Sequence, residues 1–258
     1  MSAYAILGAT GSTGSSILKL LIQNSPTAKI NLLVRSKAKL ENVVPGSTSD
    51  PNISIFESSI SDISTLAACL KNTKAVFLTV AVVDNVPNTT IAQDTARAVV
   101  EALTRLKEKE EKFQPPRLII LSSASTDIKF WTTTPAIIHK ILHNAMYFVY
   151  TDLEKAEKFL RSQEDWLRCT FIMPGGISHD VQRGHELNLT EQQTFVGFLD
   201  VAAAMIEVAD EDGTRWEGKN VSLVLKGGQK GKVEWWAPWY LGKGLVLSFV
   251  PGLYNWLP

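Results

Sequence analysis

Six short apolar runs, at residues 3–7, 30–34, 53–56, 75–80, 118–121 and 170–173, are separated by segments of helical pattern. None of them alternates cleanly between apolar and polar residues, which is how strands covered on both faces read. Residues 13–23, 61–70 and 89–112 instead carry apolar side chains three and four apart, as amphipathic helices do. Strand and helix in alternation, with connections long enough to cross over, predict an α/β architecture built on a doubly wound parallel sheet. A chain of 258 residues has room for one such domain, and no internal repeat divides it.

The pattern changes after residue 121. Thr134-Pro135 supplies an N-cap and a first-turn proline for one helix running toward Arg161. Met173-Pro174-Gly175-Gly176 ends the sixth strand, a polar stretch follows to about residue 194, residues 198–209 form an amphipathic helix, and residues 220–225 read as a last strand. Residues 177–258 are expected to supply most of a small C-terminal substrate lobe and an apolar aromatic tail. That tail, from residue 227, holds four of the seven tryptophans: Trp235, Trp236, Trp239 and Trp256. Indole suits any half-wet boundary, so the tail reads as a packed arm, as a lid over an apolar pocket, or as a membrane-surface or dimer contact.

Directly behind the first run stands Gly8-Ala9-Thr10-Gly11-Ser12-Thr13-Gly14, and a helical pattern follows. In that context Gly8 permits the tight turn, Gly11 lets backbone approach a pyrophosphate, and Gly14 lets the helix lie close on the sheet. The pyrophosphate would sit at the positive end of the helix. An acidic residue at the end of the second strand would accept from a ribose 2′-hydroxyl. Arg35 stands there, with Ser36 and Lys37, so a 2′-phosphate and hence NADP(H) is the expected cofactor. Residues 1–40 carry Lys19, Lys29, Arg35, Lys37 and Lys39 and no acidic side chain, whereas the whole chain balances 26 basic against 26 acidic residues. The overall neutrality argues against a nucleic-acid partner; the local excess suits phosphates.

The spacing G-x-x-G-x-x-G resembles the extended and atypical short-chain dehydrogenase/reductases, and within them the NmrA-like group that includes fungal oxidoreductases of the averufin-oxidase type from aromatic polyketide pathways. Leu33-Val34-Arg35-Ser36, Ser59-Ile60-Ser61-Asp62, Ile120-Leu121-Ser122-Ser123 and Phe171-Ile172-Met173-Pro174-Gly175 join the resemblance, which covers roughly residues 3–225. It implies a Rossmann-type fold, Ser59 and Ile60 bordering the adenine, and Thr79 and Val80 passing under the ribose and pyrophosphate.

Classical members of that superfamily use Tyr-x-x-x-Lys for proton transfer, two side chains on one helix face. Here the five tyrosines are followed four residues later by Gly8, Thr151, Glu154, Gly244 and Pro258. Aligning Lys155-Ala156-Glu157 with the family's helix end leaves Val149 and Leu153 in the dyad positions. The catalytic candidates are therefore Ser123, in the superfamily's serine position, and Asp152 as a general base. His139 and His143, four apart, lack an evident third metal ligand and read as pocket-lining or packed histidines; no metal is expected. Cys69 and Cys169 stand outside any metal spacing and read as buried, inert thiols.

Three functions remain open. The first is NADP(H)-dependent oxidoreduction of a bulky apolar, aromatic small molecule such as a ketone, quinone or imine of secondary metabolism. The second is cyclisation, isomerisation or dehydration on the same fold with the cofactor retained, and the third is dinucleotide sensing without turnover. With neither a basic leader nor an apolar run of about 18 residues, the expected location is cytoplasmic.

Overall fold

The computed structural model describes residues 3–82, 84–132 and 134–257. Strands β1 (Ala3–Leu7), β2 (Lys29–Val34), β3 (Ile53–Glu57), β4 (Ala75–Leu78), β5 (Arg117–Leu121) and β6 (Cys169–Ile172) come first. They are interleaved with helices α1 (Ser12–Asn24), α2 (Lys37–Val43), α3 (Ile63–Leu70), α4 (Ile91–Lys109), α5 (Ala136–Ala145) and α6 (Tyr147–Arg161). The later chain adds β7 (Ile177–Ser178), β8 (His185–Asn188), β9 (Val196–Gly197), α7 (Phe198–Asp210), β10 (Asn220–Leu225) and α8 (Ala237–Phe249).

The main sheet has the order β3-β2-β1-β4-β5-β6-β10-β8; all its pairs are parallel except β10 with β8. This is the expected Rossmann-type doubly wound sheet. The absence of alternation in the strands has a direct cause: Tyr4 and Ile6 enter the core shared with α1 and α7, while Ala5 and Leu7 enter the core shared with α3, α4 and α6. The strand order reverses between β1 and β4, and ligands of such sheets bind outside the carboxyl ends at that reversal.

Two expectations need correction. The helix foreseen from residue 134 to Arg161 is two helices, broken at Met146 (φ −124°). The backbone of Gly244 in α8 lies against the Ala145 carbonyl there, and the buried Asn85 amide oxygen accepts from Phe148 N (2.9 Å), giving α6 its own start. Pro135 is the N-cap of α5, not its first-turn residue. Within residues 177–258, β10 extends the main sheet, β8 pairs on its edge, and α7 packs against α1. What remains above the sheet is the 192–195 loop, a strap at 229–232 and α8.

Candidate functional site

The glycine turn is built by close packing. Gly8 has φ +98°, a left-handed conformation that L side chains rarely adopt. A Cβ on Gly14 would stand 2.7 Å from the Gly8 carbonyl carbon and 2.8 Å from Thr79 Oγ1. Thr79 is held in that place because its N and its hydroxyl both donate to the Leu7 carbonyl (2.9 and 2.8 Å). A Cβ on Gly11 would meet only the Gly8 carbonyl oxygen, at 3.3 Å, and the side facing solvent is open.

Gly11 is the N-cap of α1, with no side chain capping the helix and no acidic residue in its first turn. The first-turn amides of Ser12, Thr13 and Gly14 therefore point outward unsatisfied, at the positive end of a 13-residue helix. The cradle fits a pyrophosphate. Ala9 is fully buried, so only its backbone can face a ligand; Thr10 and Ser12 lie at the rim and Thr13 is buried in the first turn.

Arg35 is exposed just past β2. Ser36 caps α2, its hydroxyl accepting from Lys39 N (3.2 Å), and Glu57 at the end of β3 accepts from Lys37 N (2.9 Å). The Glu57 carboxylate is thus tied to backbone beside Arg35, Lys37 and Lys39. Ser59 is exposed in the turn after β3, where its hydroxyl accepts from Ser61 N, and Ile60 is half-buried against the α3–α4 side. Val80 lines a cavity of about 20 Å³ with Ala92, Thr95, Ser122 and Leu153, room for one water. Thr95 Oγ1 and Ser122 Oγ are buried there without protein partners. A second cavity, of about 440 Å³, lies by Cys169 and Trp166 at the opposite end of the sheet from the glycine turn.

Ser123 follows β5, and its hydroxyl oxygen accepts from Ser125 N (3.3 Å), which leaves its proton available to a ligand. Asp152 does not join it. That side chain is 2% exposed, and its two oxygens accept from Ala92 N (2.8 Å), Gln93 N (3.1 Å) and Gln93 Nε2 (3.0 Å). It caps the start of α4 from α6, so the general-base expectation is replaced by a structural role. Val149 is buried on the same helix and Leu153 faces the small cavity.

Sequence reasoning missed a row of rings beside Ser123. Trp131 Nε1 donates to the Ala124 carbonyl (2.8 Å), and His139 Nε2 donates to the Ser125 carbonyl (3.0 Å). From there ring centroids step 5.2 Å from Trp131 to His139, 6.1 Å to His143 and 5.5 Å to Tyr150. His143 Nε2 donates to Glu154 Oε1 (3.0 Å). The i, i+4 spacing of the histidines was the available signal; Tyr150 and Glu154 come from the next helix and are joined to it by the break at Met146. Among the described residues no group of three or more His, Cys, Asp or Glu is placed to hold a metal ion.

The end of β6 is roofed. Side chains on Gly175 and Gly176 would collide with Gln192, Gln193, Thr194 and Phe195. Gln193 ties that loop down, accepting from Leu225 N (2.9 Å) and donating to the Gln229 carbonyl (2.7 Å), and Gly231 lies on the Phe195 backbone. Asp180 holds the strap: its carboxylate takes Lys232 N (3.0 Å), Val181 N (2.8 Å) and the Arg183 guanidinium, which keeps its carboxyl below the usual range. Asn85, fully buried, donates to the Gly244 carbonyl (3.0 Å) and to Ser248 Oγ (2.9 Å), and Lys243 pairs with Asp84 (2.9 Å), so α8 is fixed to the loop after β4.

A family model for NAD(P)H-binding proteins matches residues 8–212. The chain is 42% identical to "Oxidoreductase stcQ" of Emericella nidulans, over 100% of this chain and 94% of that one. It is also 42% identical to "Oxidoreductase aflX" of Aspergillus parasiticus, over 99% and 95%. A short-chain dehydrogenase/reductase from Veillonella parvula, solved in complex with NADP, superposes with a TM-score of 0.68 at 20% identity, covering 90% of this chain and 99% of the other. Among the described residues no helix is long and apolar enough to cross a membrane.

Proposed function

The chain belongs to the NAD(P)H-binding family of oxidoreductases, and from that premise we propose that it is an NADP(H)-dependent oxidoreductase acting on a bulky apolar, aromatic ketone, quinone or imine of the secondary-metabolite kind. The observation that carries this reading is the open N-terminus of α1 behind the glycine turn, at the β1/β4 reversal, with Arg35 beside it.

In this reading the amides of Ser12, Thr13 and Gly14 bind the pyrophosphate, Arg35 and Ser36 take the 2′-phosphate, and Ser59 and Ile60 border the adenine. Thr79 fixes the floor under the turn and Val80 continues it toward β5. A nicotinamide held there would supply the hydride chemistry. Ser123 Oγ would donate to the substrate's oxygen, and His143, oriented by Glu154, would supply or take the accompanying proton. Gln192 to Phe195 exclude water above β6 and offer an apolar ring to an aromatic substrate. Much of the acceleration comes from holding substrate against cofactor.

A second reading follows from the apolar residues Val149 and Leu153 at the dyad positions: the cofactor is retained, and the cleft carries out a non-redox cyclisation, isomerisation or dehydration. Calorimetric titration with NADPH and NADH tests the cofactor assignment. NADPH binds about tenfold or more tighter, the worth of a charge-assisted pair, and Arg35→Glu removes the difference. Equal affinities in the native protein defeat it. Turnover of a quinone with loss of reduced nicotinamide absorbance, slowed by Ser123→Ala at unchanged NADPH affinity, separates redox from non-redox chemistry; product formation without cofactor consumption selects the second reading.

A further inference from the structure

Helix α8 is apolar on both of its faces. Its inner face packs on α5: Gly244 lies on the Ala145 carbonyl, Leu247 is fully buried, and Ser248 Oγ donates to the Asn144 carbonyl. Its outer face carries Trp239, Gly242, Val246 and Phe249, and the stripe continues to Leu253, a repeat of three and four residues that keeps them on one line. All are exposed, Trp239 by 60% and Phe249 by 73%. Alongside, α5 presents Ile137, Ile138 and Ile141, the first of them 63% exposed, and Trp235 and Trp256 stand at the two ends.

A helix hydrophobic all round belongs in a core or against lipid. At 13 residues α8 is shorter than the roughly 20 that span a bilayer, so it suits a position flat in the interface, where indole is favoured.

Charge says which lipid. Residues 134–146 and 235–258 contain no Asp or Glu, and their charged side chains are Lys140 and Lys243. Lys230 and Lys232 are exposed just before Trp235, while Glu234 is buried and accepts from His179 N (3.2 Å). With Lys243 paired to Asp84, the exposed cations of this face are Lys140, Lys230 and Lys232, complementary to acidic headgroups, whereas a twofold contact with a second copy would set this basic rim against itself.

We infer that the α5–α8 face docks the protein on an anionic lipid surface. Docking is independent of which reaction the cleft performs. The test is co-sedimentation of the full chain with vesicles of phosphatidylcholine alone or with about a third phosphatidylserine. Native protein sediments with the anionic vesicles, far less with the neutral ones, and is released by salt.

Trp239→Ser and Phe249→Ser each weaken partitioning about tenfold or more, the loss expected for an inserted aromatic. Lys230→Glu with Lys232→Glu weakens it by about fivefold per site, at exposed positions where folding is not at stake. Melting temperature and NADPH affinity stay at the native values in both sets. No sedimentation with anionic vesicles at low salt, or equal sedimentation of native and variant proteins, overturns the inference. So does a native dimer in analytical ultracentrifugation that Trp239→Ser dissociates, which assigns the face to a second copy.

Discussion

Replacing Gly14 by alanine tests the reasoning behind the glycine turn, because the structure fixes what the methyl group would meet. Its carbon would lie 2.7 Å from the Gly8 carbonyl carbon and 2.8 Å from Thr79 Oγ1, where real Cβ atoms keep at least 3.0 Å. The Thr79 hydroxyl cannot swing away without giving up the Leu7 carbonyl, and Gly8 is backbone, so α1 must back off the sheet. Overpacking that forces backbone to move costs about 2–3 kcal/mol, the upper part of the usual range, and the helix preference of alanine over glycine offsets about 1 kcal/mol. A net loss of about 1–2 kcal/mol lowers the melting temperature of a domain this size by roughly 2–8 °C.

The same displacement moves the Ser12 and Thr13 amides, so NADPH binds about tenfold weaker, a difference of about 1.4 kcal/mol. Gly242→Ala is the internal control. A Cβ there meets nothing within 4 Å, and the helix gains about 0.5–1 kcal/mol. Scanning calorimetry of cofactor-free protein and calorimetric titration with NADPH give both readouts. If Gly14→Ala melts no lower than the native protein and binds NADPH as tightly, the close-packing account of the turn is wrong.

Asp152→Ala strands the amides of Ala92 and Gln93 and destabilises by about 1–3 kcal/mol in urea unfolding, with turnover per folded molecule unchanged; a tenfold loss of turnover at native stability would return Asp152 to the chemistry. Asp180 has its folded carboxyl lowered by Arg183, so its stabilisation is complete above the ordinary carboxylate range near pH 4 and is lost as pH falls through the lower folded value. Asp180→Asn flattens that acid limb in unfolding curves recorded from neutral pH downward, and an unchanged limb refutes the assignment. Burial pushes the Cys69 and Cys169 thiols up to about 12, so neither reacts with a disulfide reagent at mildly alkaline pH until the protein unfolds; rapid native labelling would contradict their burial.

The sheet was legible because each parallel strand is apolar on both faces and each crossover helix has a period of its own. The glycine turn was legible because its constraint is local: a strand end, a positive φ and a helix start within seven residues. Contacts between distant segments were not. Nothing near Met146 announces a break, since its cause is the backbone of Gly244 and the amide of Asn85 arriving from elsewhere. Gly242 and Gly244 made residues 237–249 a poor helix by propensity, yet Gly244 is what lets α8 reach α5. Asp152 on a helix with an apolar first half looked free for chemistry because its partners, Ala92 and Gln93, are about 60 residues away. His185–Asn188 escaped notice as a strand because an antiparallel edge of four residues, polar at both ends, carries no run.

The pairing of α1 with α7 also bears on how the chain emerges from the ribosome. Helix α1 is made within the first two dozen residues, but the surface that covers its apolar side ends at Asp210, whose carboxylate also receives the Tyr4 hydroxyl. At roughly 5–20 residues per second, Ile17, Leu18 and Leu21 wait on the order of ten to forty seconds for their partner. Through that interval the nascent chain offers a bare greasy helix to any chaperone stationed at the exit tunnel, and a pause or truncation before α7 would leave it there.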